Sequence, residues 1–300
     1  MTTARSLLMA LLAPLLYLMA AAFLAALVAY PASRLLGLED ISDLRSLVSR
    51  GGQALLLLGL WPIGRRLGWD LRTWGLGARP VRQWLIGFGL GGLMLAGHVF
   101  LLVQLDIRAV VWDRWTAAYL APVLAKAFGI GLGIGLIEET LFRGALVAGL
   151  RQAAGPVAAV IISAFYFAIL HFIGSRWTAE TGIDWTTGFR IALDGFARVS
   201  SAPADAFLGL FVAGLLLATL RTLWPRSLAL CMGMHAGWIF IIKSAKPLTW
   251  IDPESPRLYL IGPYDYFVGY LSAAWLGSLL LLMLAGRWLW QKNRTRDRRP

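Results

Sequence analysis

Glu138, Glu139 and Arg143 stand together in GLIEETLFRG (135–144), an apolar stretch with no other charge. His171 and His235, two of the chain's three histidines, also fall in apolar stretches. Ionisable groups in hydrocarbon cost roughly 2.5–3.5 kcal/mol each on insertion scales, so they are kept for pairing or for function. Glu139 and Arg143 are four residues apart, acid before base, and share one helix face as an internal ion pair. Glu138 points about 100° away around the same helix and needs another partner or a task. At about 1.5 Å per residue, Glu138, His171 and His235 lie roughly 17, 22 and 12 Å up their spans from one side, so they can meet near mid-membrane.

A carboxylate with a histidine activates water as a general base, and a second histidine stabilises an oxyanion. Alternatively, one carboxylate and two imidazoles hold Zn²⁺ with an open position for water. Both routes hydrolyse a carbonyl substrate inside the membrane. The sequence has no GxSxG elbow, no HExxH helix and no Ser–His–Asp candidate set. The third histidine, His98, has no ionisable neighbour in sequence and reads as a buried, hydrogen-bonded group.

The elements that position these groups must be membrane helices. The 300-residue chain is 58% hydrophobic and only 15% charged, and its mean hydropathy is +0.67. A soluble domain carries about a quarter charged residues. The expected fold is all-α, a single integral-membrane bundle over 1–300 with about eight spans: 6–30, 47–64, 84–105, 127–150, 156–173, 204–223, 227–244 and 266–290. The segment 120–243 holds the site residues, and 291–300 forms a basic tail.

Basic residues concentrate on one side: Arg5, Arg65, Arg66, Arg72, Arg79, Arg82, Arg151, Arg221, Arg226 and the tail. The acids Glu39, Asp40, Asp43, Glu180, Asp184, Asp252 and Glu254 fall on the other. This bias predicts both termini in the cytoplasm. The net charge of +12 is read as contact with anionic membrane lipids. No basic stripe with interleaved aromatics occurs outside the tail, so no nucleic-acid partner is expected. A single cysteine, Cys231, excludes an intrachain disulfide.

EETLFR (138–143) fits EExxxR, FAILH (167–171) fits FxxxH, and HAGWI (235–239) opens as HxxxN/D does. In this order, on separate membrane helices, the motifs resemble the CPBP family. That family comprises CAAX prenyl proteases of the Rce1 type and bacterial bacteriocin-processing or immunity relatives. The resemblance implies Glu138 as catalytic base, His171 as positioner of the water and His235 as part of the oxyanion site. It implies Glu139, Arg143 and Phe167 as support. Such proteins are described both as metalloproteases and as metal-free glutamate proteases. A metal-free site is favoured here, with Glu138, His171 and His235 the ligands if zinc binds.

The implied substrate is a membrane-embedded or lipidated peptide, or a membrane-protein segment. The chain departs from the pattern at Ile239, where the family has Asn or Asp; its only asparagine is Asn293. Trp238 offers an indole N–H nearby. Two other readings stay open: a non-catalytic scaffold or immunity factor, which Ile239 suits, and a proton-coupled transporter using the buried Glu and His groups.

Overall fold

In the computed structural model, residues 4–178 and 182–296 are described; Glu180 and the tail residues 297–300 lie outside them. The described chain is an all-α bundle. α1 (Ala4–Leu35) and α2 (Ile41–Arg66) form an antiparallel hairpin. The one-turn α3 (Leu71–Trp74) is capped by the Asp70 carboxylate, which accepts from the Thr73 N–H at 2.7 Å, and is closed by Gly75 in the left-handed region. α4 (Pro80–Gln104) opens on a proline in its first turn, where the missing N–H costs nothing.

α5 (Ala117–Glu139) passes into a π-helical turn (Thr140–Leu146) and then α6 (Val147–Leu170). α7 (Thr187–Ala197) is short, and α8 (Ala204–Leu223), α9 (Leu228–Leu248) and α10 (Tyr270–Arg296) complete the bundle. The only sheet among the described residues is a two-stranded antiparallel ribbon, β1 (Arg108–Val110) with β2 (Thr249–Ile251), in which Ala109 faces Trp250.

Among the described residues, six stretches are long and apolar enough to cross a membrane: Leu7–Leu35, Pro80–Gln104, Ala117–Leu170, Ala204–Leu223, Leu228–Leu248 and Tyr270–Arg294. The protein is therefore an integral, multi-pass membrane protein. The expected eight spans are not reproduced one for one. Those at 127–150 and 156–173 fall in the single 54-residue stretch. At about 1.5 Å per residue that stretch is far longer than a bilayer core of about 30 Å. It turns at Gly155, whose φ of 83° no longer follows the helix, just before Pro156. The expected span 47–64 lies in α2, where Arg50, Gln53 and Pro62 interrupt the apolar run and keep it out of the six.

α9 is the central helix, packed between α4 and α5. Both seams rest on glycine. A Cβ on Gly131 would lie 2.6 Å from the Ala236 carbonyl, and one on Gly135 would lie 2.7 Å from that of Met232. Gly233 meets the Trp84 carbonyl in the same way on the α4 side. Gly129 and Gly133 face open space, so within the glycine run only alternate positions serve packing. This contact brings the end of α5 against the first two turns of α9, which carry His235.

Candidate active site

Glu139 is the last residue of α5, and Arg143 sits in the π-helical turn that follows. Both side chains are fully buried. The expected ion pair forms: Arg143 Nη1 donates to Glu139 Oε1 at 3.0 Å. Arg143 Nη2 donates to the Gly214 carbonyl of α8 at 3.2 Å. The guanidinium also lies over the Phe167 ring, 4.3 Å from its centroid. One cation thus ties three helices to a carboxylate. π-turns inside helices recur at functional sites, and this one re-aims the residues that follow the glutamate pair.

His235 Nδ1 lies 2.9 Å from the same Glu139 Oε1. A carboxylate held by an arginine only accepts, so Nδ1 carries the proton and donates. His171, which caps α6, is fixed likewise: its Nδ1 donates to the Phe167 carbonyl at 2.6 Å. Both rings therefore turn Nε2 to the same place. His171 Nε2 is 3.8 Å, and His235 Nε2 4.0 Å, from Glu138 Oε2. That oxygen is buried and has no hydrogen-bond partner among the described residues. Phe167 accounts for its own position in the pattern, since its ring packs edge-on against His171 (4.6 Å) and His235 (5.7 Å).

Glu138, Glu139, Arg143, Phe167, His171 and His235 thus converge on one locus. Ile239 is half-buried, one turn beyond His235, and supplies no polar group. Trp238 is buried with its ring centroid 6.1 Å from that of His235, and its indole nitrogen has no partner among the described residues. His98 lies elsewhere, buried, with Nε2 3.0 Å from the Phe267 carbonyl.

The zinc alternative meets a geometric obstacle. Tetrahedral ligands about 2.1 Å from zinc lie about 3.4 Å from one another, whereas Glu138 Oε2 stands 3.8 and 4.0 Å from the two imidazole nitrogens. Among the described residues no group of three or more His, Cys, Asp or Glu is arranged to hold a metal ion.

Several contributors carry no sequence signal. Tyr264, in the segment between β2 and α10, donates to the His171 carbonyl at 3.2 Å and rests edge-on against Phe172. Burial, then the charges of Asp265 and Glu138, pushes its phenol up to about 12, so it remains a donor at neutral pH. That segment is pinned by Arg108, which donates to Thr249 Oγ1 at 2.7 Å and covers the Phe267 ring. The loop after His171 is held by Asp194 of α7. Its carboxylate accepts from Ser175 Oγ (2.7 Å), Arg176 N (2.9 Å) and Trp177 N (3.1 Å), and these bonds hold its pKa low.

A cavity of about 260 Å³ opens beside Glu138 and His171, walled on its far side by α2 and α7. A second, of about 390 Å³, is almost wholly apolar and shares Leu18, Leu56, Leu141, Phe142 and Leu170 with the first. Together they form a seam between the α1–α2 hairpin and the helices that carry the site.

Residues 120–241 match the model of a family described as type II CAAX prenyl endopeptidase Rce1-like. No curated protein and no solved structure matches the chain.

Proposed function

We propose, from the Rce1-like character of residues 120–241, that the protein is an intramembrane endopeptidase that uses Glu138 to activate water. Its substrate is a membrane-embedded or lipidated peptide. The observation that carries this reading is the convergence of Glu138 Oε2 with two Nε2 atoms, each aimed by a hydrogen bond on the opposite side of its ring.

Separations of 3.8 and 4.0 Å are too long for direct hydrogen bonds and suit a bridging water. Glu138 takes the water proton as oxygen attacks the scissile carbonyl, and His171 Nε2 accepts the second proton's hydrogen bond and so orients the attack. The oxyanion that forms is met by the His235 ring, which Glu139 orients through Nδ1. Glu138 then passes its proton to the leaving amine. The same groups serve this sequence without a metal, and the open donor spacing favours that form. The apolar cavity suits a lipid chain or aliphatic side chains and sits directly beside the polar one.

The bilayer is the protein's medium, and basic residues gather at the end that holds both termini. We place that end in the cytoplasm. In a Cys231→Ser background, a cysteine replacing Lys292 should react with an impermeant thiol reagent only in inverted vesicles. Labelling in intact cells would reverse the orientation.

Ile239 removes one family donor from the oxyanion side. Loss of such a donor typically costs on the order of 10²–10³ in rate, so Ile239→Asn should raise single-turnover cleavage by at least about tenfold. It should also lower thermal stability, because an amide at that depth needs partners. A folded variant with no gain would assign the donor role to another group. Trp238, with its unpartnered indole N–H, is the first to test.

A further inference from the structure

Ile239, half-buried one turn beyond His235, cannot donate a hydrogen bond. Position 239 lies on the half of α9 that leads to β2. The loop after β2 returns to the site, where the Tyr264 hydroxyl donates to the carbonyl of His171, the residue that caps α6. Tyr264 is outside the Rce1-like segment.

The loop is built to hold its shape. The Gly262 N–H donates to the Val268 carbonyl at 3.0 Å, and the Tyr266 N–H to the Gly262 carbonyl at 3.1 Å, so the chain closes on itself around Tyr264. The Asp265 carboxylate accepts from the N–H groups of Phe267 (2.9 Å) and Val268 (2.8 Å). Arg108 donates to the Tyr266 carbonyl at 3.3 Å, and His98 Nε2 lies 3.0 Å from the Phe267 carbonyl. Tyr266 is held at a φ of 62°, a left-handed conformation that a bulky residue keeps only where its surroundings enforce it. Such strain gathers at active sites. The hydroxyl of Tyr264, by contrast, is lightly held. Its bond to His171 is 3.2 Å, longer than the roughly 2.7–2.8 Å usual for O–H···O bonds. Tyr264 is 41% exposed, so a substrate can reach it. Partial burial, then the charges of Asp265 and Glu138, pushes the phenol up to about 12. It therefore meets the reaction protonated, within the field of the Glu138 carboxylate.

We infer that the Tyr264 hydroxyl is a donor to the oxyanion beside His235, supplied from the loop after β2 in place of the amide missing at 239. As the carbonyl carbon becomes tetrahedral, the O–H turns from the neutral His171 carbonyl to the oxyanion. A charged acceptor makes a hydrogen bond about twice as strong as a neutral one, so the exchange favours the transition state over the bound peptide. The phenol keeps its proton throughout, and proton transfer stays with Glu138. Trp238 is the rival donor, but its indole is fixed in the apolar core that includes Leu95 and Phe167. The inference rests on the protease reading and names a residue for its oxyanion step.

The test is single-turnover cleavage of a dansyl-labelled, S-farnesylated peptide by full-length protein in lipid nanodiscs. Tyr264→Phe keeps the ring against Phe172 and removes only the hydroxyl. It should slow cleavage at saturating peptide by about 10²-fold and leave KM unchanged. In the Tyr264→Phe background, Ile239→Asn should raise the rate at least about tenfold more than it does in the parent, because the new amide takes over the lost role. A residue that merely held the end of α6 would show no such coupling. A phosphinate analogue of the scissile bond needs no second substitution. Tyr264→Phe should weaken its binding at least about tenfold, while the intact peptide binds equally to Glu138→Gln and Glu138→Gln/Tyr264→Phe. A rate equal to the parent's, independent effects of the two substitutions, or equal loss of analogue and peptide affinity overturns the assignment of Tyr264 and leaves the protease reading in place. Coupling shown by Trp238→Phe instead gives the donor role to the indole and overturns it too. No cleavage by the parent, or full cleavage by Glu138→Gln, brings down the protease reading and this inference with it.

Discussion

Glu138→Gln is expected to abolish peptide cleavage while leaving the fold and its melting temperature unchanged. The substitution is isosteric, and Glu138 makes no hydrogen bond among the described residues that holds two helices together: its Oε2 has no such partner and lies 3.8–4.0 Å from the imidazoles. What it removes is basicity. A positioned general base contributes about 10²–10⁴ in rate, and here the same group also returns the proton to the leaving amine, so a loss of at least about 10³ is expected. His171→Ala should approach it, because the water loses its second acceptor. A chelator should leave parental turnover unchanged. The measurement is single-turnover cleavage of a lipidated peptide, with a melting curve on the same preparation. Turnover by the glutamine variant equal to that of the parent removes Glu138 as base. A scaffold function would survive the substitution, and a transporter would lose pH-coupled substrate movement instead. Chelator inhibition reversed by zinc would restore the metal-dependent route.

The different surroundings of the two glutamates were legible in the sequence because they follow from helix geometry. A four-residue spacing pairs Glu139 with Arg143, and a one-residue step turns Glu138 elsewhere. The meeting of His171 and His235 with the pair followed from comparable depths in separate spans. Other features had no such local rule behind them. Arg143, inside the π-turn after Glu139, reaches Gly214 of α8, a contact 71 residues away. Tyr264 reaches His171 from a loop 93 residues on, and loops carry no periodicity to read. Arg45, Ser49 and Gln53 of α2 belong to no motif, yet they line the cavity beside Glu138. Only the packing of α2 across the cavity shows that this face meets the site instead of lipid. The count of eight is not confirmed, because Arg50 and Gln53 dilute the apolar run of α2 and the turn at Gly155 leaves 127–150 and 156–173 in one stretch.

Breaking the Glu139–Arg143 pair is expected to produce the largest loss of stability of any single substitution at the site. Both side chains are fully buried, and Glu139 Oε1 accepts from Arg143 at 3.0 Å and from His235 at 2.9 Å. Removing one partner of a buried pair typically costs about 3–5 kcal/mol, because the charge left behind is uncompensated. Arg143→Met also cuts the bond to the Gly214 carbonyl and the guanidinium contact with Phe167. A cost of a few kcal/mol in a chain of this size corresponds to a fall in melting temperature on the order of 10 °C. Glu139→Gln should fall less far in structure, since its amide oxygen still accepts from His235, yet it strands Arg143 as an unpaired cation. The double variant Glu139→Gln/Arg143→Met should recover part of the loss, with an interaction energy of about 0.5–3 kcal/mol between the sites. Activity should follow stability in Glu139→Gln, because His235 then keeps only a neutral acceptor at Nδ1 and is oriented less firmly. Thermal melts and single-turnover rates on the three variants decide the matter. Melting temperatures within about 2 °C of the parent, or strict additivity, would mean that the pair contributes nothing to holding α5, α8 and α9 together and that His235 is oriented by other contacts.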